Sequence, residues 1–172
     1  MPHKNIEFKA RCADIAKAEE KLLKLNPEFK GEDNQVDTYY KVATGRLKMR
    51  EGNIENALIY YERPDTGGAK LSNVVLYEHE PSCALKSILE KTHGKLVTVK
   101  KCRRIFFINN VKFHFDRVDG LGIFLEVEAI DNDGTLDENF LQNQCSTYAA
   151  YLEVKEEDYI FNSYSDMLMK LQ

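Results

Sequence analysis

The chain of 172 residues is long enough to form a core without staples, and we treat residues 1–172 as a single domain. Its 43% hydrophobic and 30% charged residues are typical of a folded, charge-rich protein and exclude a disordered chain. The formal net charge of −4 argues against a surface that attracts nucleic acid or anionic lipid as a whole.

The first predicted element is a strand at residues 5–11, NIEFKAR. Ile6, Phe8 and Ala10 share one face, and polar or charged side chains occupy the other. A helix follows over residues 14–25, and Asn26-Pro27 ends it. Further strands are predicted at 35–42, 45–51, 56–64, 71–80, 97–108, 111–118 and 122–130. Further helices are predicted after Pro81, over about 136–148 and from about 165.

This order of elements predicts an α+β fold that is mainly antiparallel β. The connections between strands are mostly of hairpin length, and the helices are too few for a doubly wound parallel sheet. We therefore expect about eight strands in a closed barrel or a strongly curled sheet, with a few helices packed on the outside.

Several predicted strands carry one face that is almost entirely charged. The charge is segregated by sign, with two basic faces and one acidic face: Arg46/Lys48/Arg50, Lys101/Arg103 and Glu126/Glu128. A half-solvated sheet is one interpretation of such faces. In the other interpretation the charged faces line the inside of a barrel, where a bound polyanion and a cation separate the like charges.

The acidic face also predicts a metal site. Glu126 and Glu128 are two residues apart, so their carboxylates converge on one side of a strand, and Glu7 is a further candidate. Carboxylate oxygens are ligands that Mg²⁺ and Mn²⁺ prefer. His114 shares a face with Asp116, and we interpret it either as a proton shuttle or as a paired structural histidine.

Short motifs along nearly the whole chain match those of a known family. They are NIEFK (5–9), QVDTYY (35–40), GRLKMRE (45–51), YYERPD (60–65), VKKCRRIFF (99–107), DRVDGLGIFLEVEA (116–129) and SYSDML (163–168). Together they resemble the CYTH superfamily, whose first strand carries an ExExK signature and which includes class IV adenylyl cyclases and thiamine triphosphatases. The motifs are more similar to those of the cyclase branch.

The resemblance implies a closed tunnel that binds a triphosphate together with Mg²⁺ or Mn²⁺. The implied phosphate-binding residues are Lys9, Arg46, Lys48, Arg50, Arg63, Lys101 and Arg103. The implied metal ligands are Glu7, Glu126 and Glu128, with Asp116 as a further candidate, and we assign catalytic roles to Lys9, Arg63 and Asp116. Asn5 stands where the family has its first Glu, which leaves open whether one or two metal ions bind.

Two reactions are compatible with these residues. In hydrolysis, water attacks the terminal phosphorus; in cyclisation, the ribose 3′-hydroxyl of ATP attacks the α-phosphorus and pyrophosphate leaves. We favour hydrolysis because cyclisation needs a pocket for adenine, and Tyr39, Tyr60, Tyr61 and Phe124 show no arrangement that demands one. A non-catalytic module that binds triphosphate or polyphosphate is the alternative from another class, and the Glu126/Glu128 pair argues against it.

The expected partner is a small-molecule triphosphate, without nucleic acid or membrane. The N-terminal residues lack the apolar run of a signal peptide, and the four cysteines are scattered without a CxxC pair. We therefore expect a cytoplasmic protein with reduced thiols. The oligomeric state stays open, with a homodimer among the alternatives.

Overall fold

The computed structural model describes residues 2–63, 69–81 and 83–171. These residues contain eight strands: β1 Pro2–Arg11, β2 Glu28–Tyr40, β3 Arg46–Glu51, β4 Ala57–Glu62, β5 Lys70–Glu78, β6 Lys95–Ile108, β7 Val111–Val118 and β8 Gly122–Asp131. They also contain the helices α1 Ile15–Leu23, α2 Cys83–His93, α3 Glu138–Tyr151 and α4 Tyr164–Met169. The ends of the predicted strand 56–64 and of the motif at 60–65 lie outside the described residues. No helix in the described ranges is long and apolar enough to cross a membrane.

The strands form a closed barrel. They pair antiparallel in the order β1-β5-β4-β3-β2-β6-β7-β8, and β8 pairs with β1 to close the ring. The predicted α+β, mainly antiparallel fold is therefore confirmed. The register places Lys9 opposite Glu126 and Glu7 opposite Glu128, and side chains on paired strands share a face, so the charged side chains of β1 and β8 turn the same way.

The apolar faces of the strands point outward and form the largest hydrophobic cluster beneath the helices. It includes Ile6 and Phe8 of β1, Phe113 and Phe115 of β7, Leu125 and Val127 of β8, Leu22 of α1, and Leu141, Cys145 and Ala149 of α3. The usual arrangement of a barrel, with an apolar interior and a polar exterior, is thus reversed on this side. The helices are needed because they keep the outward apolar faces away from water.

The bounds of several elements differ from the prediction, and two of the differences have a clear physical reason. β2 begins at Glu28 rather than at residue 35, because Glu28 to Asn34 form a largely exposed extension that pairs with β6 and lacks an alternating apolar pattern. Helix α1 ends at Leu23, so Leu25 lies beyond it and is exposed. Helix α2 buries Leu89 and little else, and its Ile88 points to solvent.

The contact between α3 and the barrel yields the first prediction. Replacing the fully buried Leu141 with alanine should lower the free energy of unfolding by about 2–5 kcal/mol, because it leaves a cavity against β1 and β8. Urea denaturation followed by circular dichroism measures the change. The neighbouring Phe140 is 49% exposed and supplies the matched control, Phe140→Ala. Equal losses in the two variants would contradict the proposed packing.

Candidate functional site

The barrel encloses a cavity of about 1010 Å³. Most of the residues predicted from the charged faces line it: Glu7, Lys9, Lys48, Arg50, Arg63, Lys101, Arg103, Glu126 and Glu128. Among the described residues, Arg46 and Asp116 do not belong to this lining. Arg46 contacts Asp166 of α4 at 2.8 Å instead, and Asp116 lies fully buried behind the cavity wall.

Asp37 of β2 holds three of the cations together. Its carboxylate accepts two hydrogen bonds from the Arg50 guanidinium, at 2.9 and 3.0 Å. It also accepts one from Lys101 Nζ at 2.6 Å and one from Lys48 Nζ at 3.0 Å. Burial alone would raise the pKa of Asp37, but Arg50, Lys101 and Lys48 hold it well below its usual range. One ionised carboxylate therefore serves three positive side chains, and this group keeps a surplus of positive charge.

For Lys101, unlike Asp37, the neighbouring charges do not overcome the effect of burial on the pKa. Desolvation lowers the pKa of Lys101 to about 7, and Arg50 and Arg103 act in the same direction, although Asp37 opposes them. Near neutral pH the charged form of this amine is thus only weakly favoured. An additional anion beside it would stabilise the ammonium form.

Glu55 adds a second internal carboxylate from the loop between β3 and β4. It accepts from Arg50 Nη1 at 2.8 Å and contacts Lys112 Nζ. Buried Asp33 holds this loop, because its carboxylate accepts from the backbone N–H groups of residues 53, 54 and 55 at 2.7, 2.9 and 3.0 Å. A Cβ on Gly52 would lie 2.6 Å from the Asp33 carboxylate, so the close approach requires glycine.

Arg103 is fixed by a buried network at the other side of the cavity. It donates to both Asp116 oxygens at 2.6 Å and to Glu126 Oε2 at 2.7 Å. The Tyr164 hydroxyl of α4 donates to Asp116 at 2.8 Å. Asp116 thus orients Arg103 from behind and does not itself face the cavity.

Lys9 and Arg63 each face one carboxylate of the predicted metal site. Lys9 Nζ lies 3.4 Å from Glu126 Oε1 and 3.9 Å from the centre of the Tyr164 ring. Arg63 forms an ion pair with Glu7. Burial lowers the pKa of Lys9, partly countered by Glu126. Burial also acts to lower the pKa of Arg63, but Glu7 together with Tyr61 and Glu126 raises it.

The acidic side of the cavity has a donor set that fits a divalent cation. His114, Glu126 and Glu128 each offer a ligand atom, and these atoms all lie within 4.8 Å of one another. Burial raises the pKa of Glu128 to about 7, helped by the negative charges of Glu126 and Glu7. A cation placed there would relieve this repulsion. Glu7 lies opposite Glu128 in the register, so it is close enough to add to the same negative field.

Several residues of the site were not assigned a role from the sequence. Asp37 lies within the recognised motif 35–40, and the alternation test would have placed it on the face of Gln35 and Tyr39. Glu55 carries no such signal, because it belongs to a loop without periodicity. From the like charges on the basic faces we expected a bound polyanion to separate them. Asp37 and Glu55 lie between these basic side chains, so they separate the charges without any bound polyanion.

Comparison with known proteins adds independent support for the fold. The family model of the CYTH domain matches residues 3–164. Over 171 residues the chain is 25% identical to "Putative adenylate cyclase MJ0240" of Methanocaldococcus jannaschii, covering 94% of this chain and 97% of that protein. The solved structure of the PH1012 protein from Pyrococcus horikoshii OT3 is 26% identical with a TM-score of 0.80, over 94% of this chain and 98% of that one. A conserved hypothetical protein from Pyrococcus furiosus shares the fold, with 23% identity, a TM-score of 0.79 and the same coverage.

The shared carboxylate yields the second prediction. Asp37→Asn leaves Lys48, Arg50 and Lys101 enclosed together without their common counter-charge. We expect the free energy of unfolding at neutral pH to fall by about 3–5 kcal/mol, as when one partner of a buried ion pair is removed. Urea denaturation measures this loss, and Asp119→Asn in the exposed turn after β7 is the control.

The pH dependence of this difference has a definite sign. The folded pKa of Asp37 is depressed, so its contribution is present above the unfolded value of about 3.9 and is lost as the pH falls through the folded value. The gap between wild type and Asp37→Asn should therefore shrink as the pH is lowered below about 4. A gap that is constant from neutral to strongly acidic pH would contradict the assignment.

Proposed function

Since the chain belongs to the CYTH domain family, we propose that it is a metal-dependent enzyme that binds a triphosphate inside the barrel and hydrolyses its terminal phosphate. The observation that carries the proposal is the convergence of a basic group and an acidic group on one cavity. The basic side chains that line it are Lys9, Lys48, Arg50, Arg63, Lys101, Arg103 and Lys112. The acidic group comprises Glu7, Glu126 and Glu128.

The charge balance of the cavity supports a polyanionic ligand. Lys48, Arg50 and Lys101 share Asp37, and Glu55 is the further carboxylate that contacts Arg50. Cations gathered in an enclosed space disfavour the empty protein unless counter-charge is near. Phosphate oxygens would supply that counter-charge and would favour the ammonium form of Lys101, whose pKa burial lowers to about 7.

The protein contributes to the reaction chiefly through fixed positive charge. Phosphoryl transfer needs little covalent chemistry from a protein, so positioned cations account for most of the catalysis. Lys9 and Arg63 carry this role next to the carboxylate cluster, and Arg103 is held in place by Asp116. We therefore assign Asp116 as a positioning residue. Glu126 and Glu128, with Glu7 beside them, would hold Mg²⁺ or Mn²⁺, which when bound neutralises charge on phosphate oxygens.

Of the four aromatic residues considered for adenine binding, Tyr60 and Phe124 are not among the described residues that line the cavity. Tyr39 and Tyr61 line the cavity, but both are buried and lie against Lys48 Nζ, 5.6 and 5.7 Å from the ring centres. Phe124 packs against Tyr164, with ring centroids 5.0 Å apart. Tyr60 points away from the cavity and donates to Glu62. Phe124 and Tyr60 are thus engaged elsewhere, whereas Tyr39 and Tyr61 line the cavity, as does Tyr77, which is 65% exposed.

Cyclisation of ATP is the second candidate, and the relative from Methanocaldococcus jannaschii favours it. That protein's name designates it a putative adenylate cyclase, and the likeness spans almost the full length of both chains. The same cations and carboxylates would serve that reaction, with attack at the α-phosphorus rather than at the terminal one.

Product analysis with two substrates separates the candidates and gives the third prediction. Inorganic triphosphate cannot cyclise, so it should release orthophosphate with Mg²⁺ or Mn²⁺ if the enzyme hydrolyses the terminal phosphate. ATP should give no cyclic AMP. Ion-exchange chromatography resolves the products. Cyclic AMP and pyrophosphate from ATP, with inorganic triphosphate left intact, would overturn the proposal in favour of cyclisation.

The fourth prediction concerns the acidic group. Glu126→Gln or Glu128→Gln keeps the shape of the side chain and removes its charge, so activity should fall by on the order of 10² or more. Circular dichroism and thermal melting should show that the fold persists. Glu20→Gln, at an exposed position of α1, is the matched control and should keep full activity. Normal turnover by the double Gln variant would show that these carboxylates are structural.

A further inference from the structure

His114 is a buried histidine within the acidic group. It lies on β7 opposite Glu126 of β8, it is 1% exposed, and its side chain lines the cavity. Its Nδ1 atom is 3.3 Å from Glu126 Oε2 and 3.7 Å from Glu128 Oε1. An imidazole nitrogen and two carboxylates therefore face one another at a distance that a single cation could bridge.

The second ring nitrogen of His114, Nε2, is buried without a contact within the described ranges that would compensate for its lost hydration. Nε2 of His114 is buried and has no hydrogen-bond partner among the described residues, and buried polar atoms are normally paired. A histidine with a purely structural role would be expected to satisfy both nitrogens. The sequence-based interpretation as a paired structural histidine thus accounts for Nδ1 but not for Nε2.

A neutral imidazole has one N–H group and one nitrogen lone pair, and metal ions bind the lone pair. Nδ1 is the ring nitrogen that faces both carboxylates. In the tautomer that carries the proton on Nε2, the Nδ1 lone pair is therefore directed to the same place as the two carboxylates.

The donor set of His114, Glu126 and Glu128 contains a nitrogen, whereas the sequence predicted a metal site made only of oxygen ligands. Asn5, on the same strand face as Glu7, supplies an amide oxygen that is buried and has no partner in the described part of the chain. Mg²⁺ prefers anionic oxygen ligands, whereas imidazole nitrogen suits transition metals, whose affinity for mixed nitrogen and oxygen sites rises from Mn²⁺ to Co²⁺ and Ni²⁺.

We propose that His114 is a metal ligand that acts together with Glu126 and Glu128, and that it makes the cavity select divalent transition metals over Mg²⁺. The proposal deepens the proposed function, on which it rests for the cation's role, by specifying the class of cation. Metal binding itself can be measured without any substrate, so the two proposals can fail separately.

The test compares metal affinities of substrate-free protein. Co²⁺ is titrated by its visible absorption, and Mg²⁺ is added as a competitor. His114→Gln exchanges the imidazole nitrogen for a side chain with an oxygen donor of similar reach. We expect the ratio of Co²⁺ to Mg²⁺ affinity to fall at least about tenfold, the lower end of losses seen when the surroundings of a metal site are altered. Mg²⁺ affinity should change little.

Two further variants identify the source of the effect. Glu128→Gln removes a shared oxygen ligand and should weaken Co²⁺ and Mg²⁺ alike. His93→Gln removes an exposed histidine of α2 and should leave both affinities unchanged. An unaltered affinity ratio in His114→Gln, or an equal loss in His93→Gln, would overturn the proposal.

A measurement on the wild-type protein covers the case in which His114→Gln does not fold. Pulsed electron paramagnetic resonance of the protein loaded with Mn²⁺ should show coupling to a directly bound nitrogen. Mn²⁺ that binds without nitrogen coupling, or a cavity that binds no transition metal, would also overturn the proposal. Nitrogen coupling in a protein that releases no phosphate would refute the hydrolytic function and leave the metal ligand in place.

Discussion

Charge enclosed within the barrel is the constraint on which the rest of the structure depends. Charged side chains lose their hydration when they are buried, so each must find partners inside the protein. Asp37 meets this need for Lys48, Arg50 and Lys101, and Asp116 meets it for Arg103. Because the interior is occupied in this way, the apolar faces of β1, β7 and β8 must point outward. The helices are needed because they pack on these apolar faces and keep them away from water.

The internal carboxylates also determine what the cations can do. A guanidinium held by two hydrogen bonds, as Arg103 is by Asp116, keeps its orientation before any ligand arrives. Preorganised charge of this kind is effective because little reorganisation is needed when charge develops on a substrate. The balance stays incomplete, since one Asp37 carboxylate serves three cations. The cavity is therefore ordered by its own acids and still favours an additional anion.

Most of the barrel could be predicted from the sequence, and the missing parts have physical reasons. Alternation predicted the strands that carry Glu7, Lys48, Arg103 and Glu126, because one face of each is apolar and packs outward. It could not show which strands are neighbours in the closed ring, so the contacts of Asp37 with cations on β3 and β6 were not foreseen. The role of Glu55 depends on a loop shaped by backbone hydrogen bonds to distant Asp33, and such contacts leave no local pattern.

The C-terminal helix is part of the site rather than an accessory to it. Tyr164 donates to Asp116, its ring lies against Lys9 Nζ, and it packs on Phe124. The Asp116 carboxylate thus connects Tyr164 of α4 to Arg103, while the Tyr164 ring connects α4 to Lys9. Two cations that approach the cavity from β6 and β1 are therefore tied to the same short helix. The position of that helix bears on the geometry of the charged interior, because a shift of Tyr164 would alter the partners of Lys9 and Asp116 together.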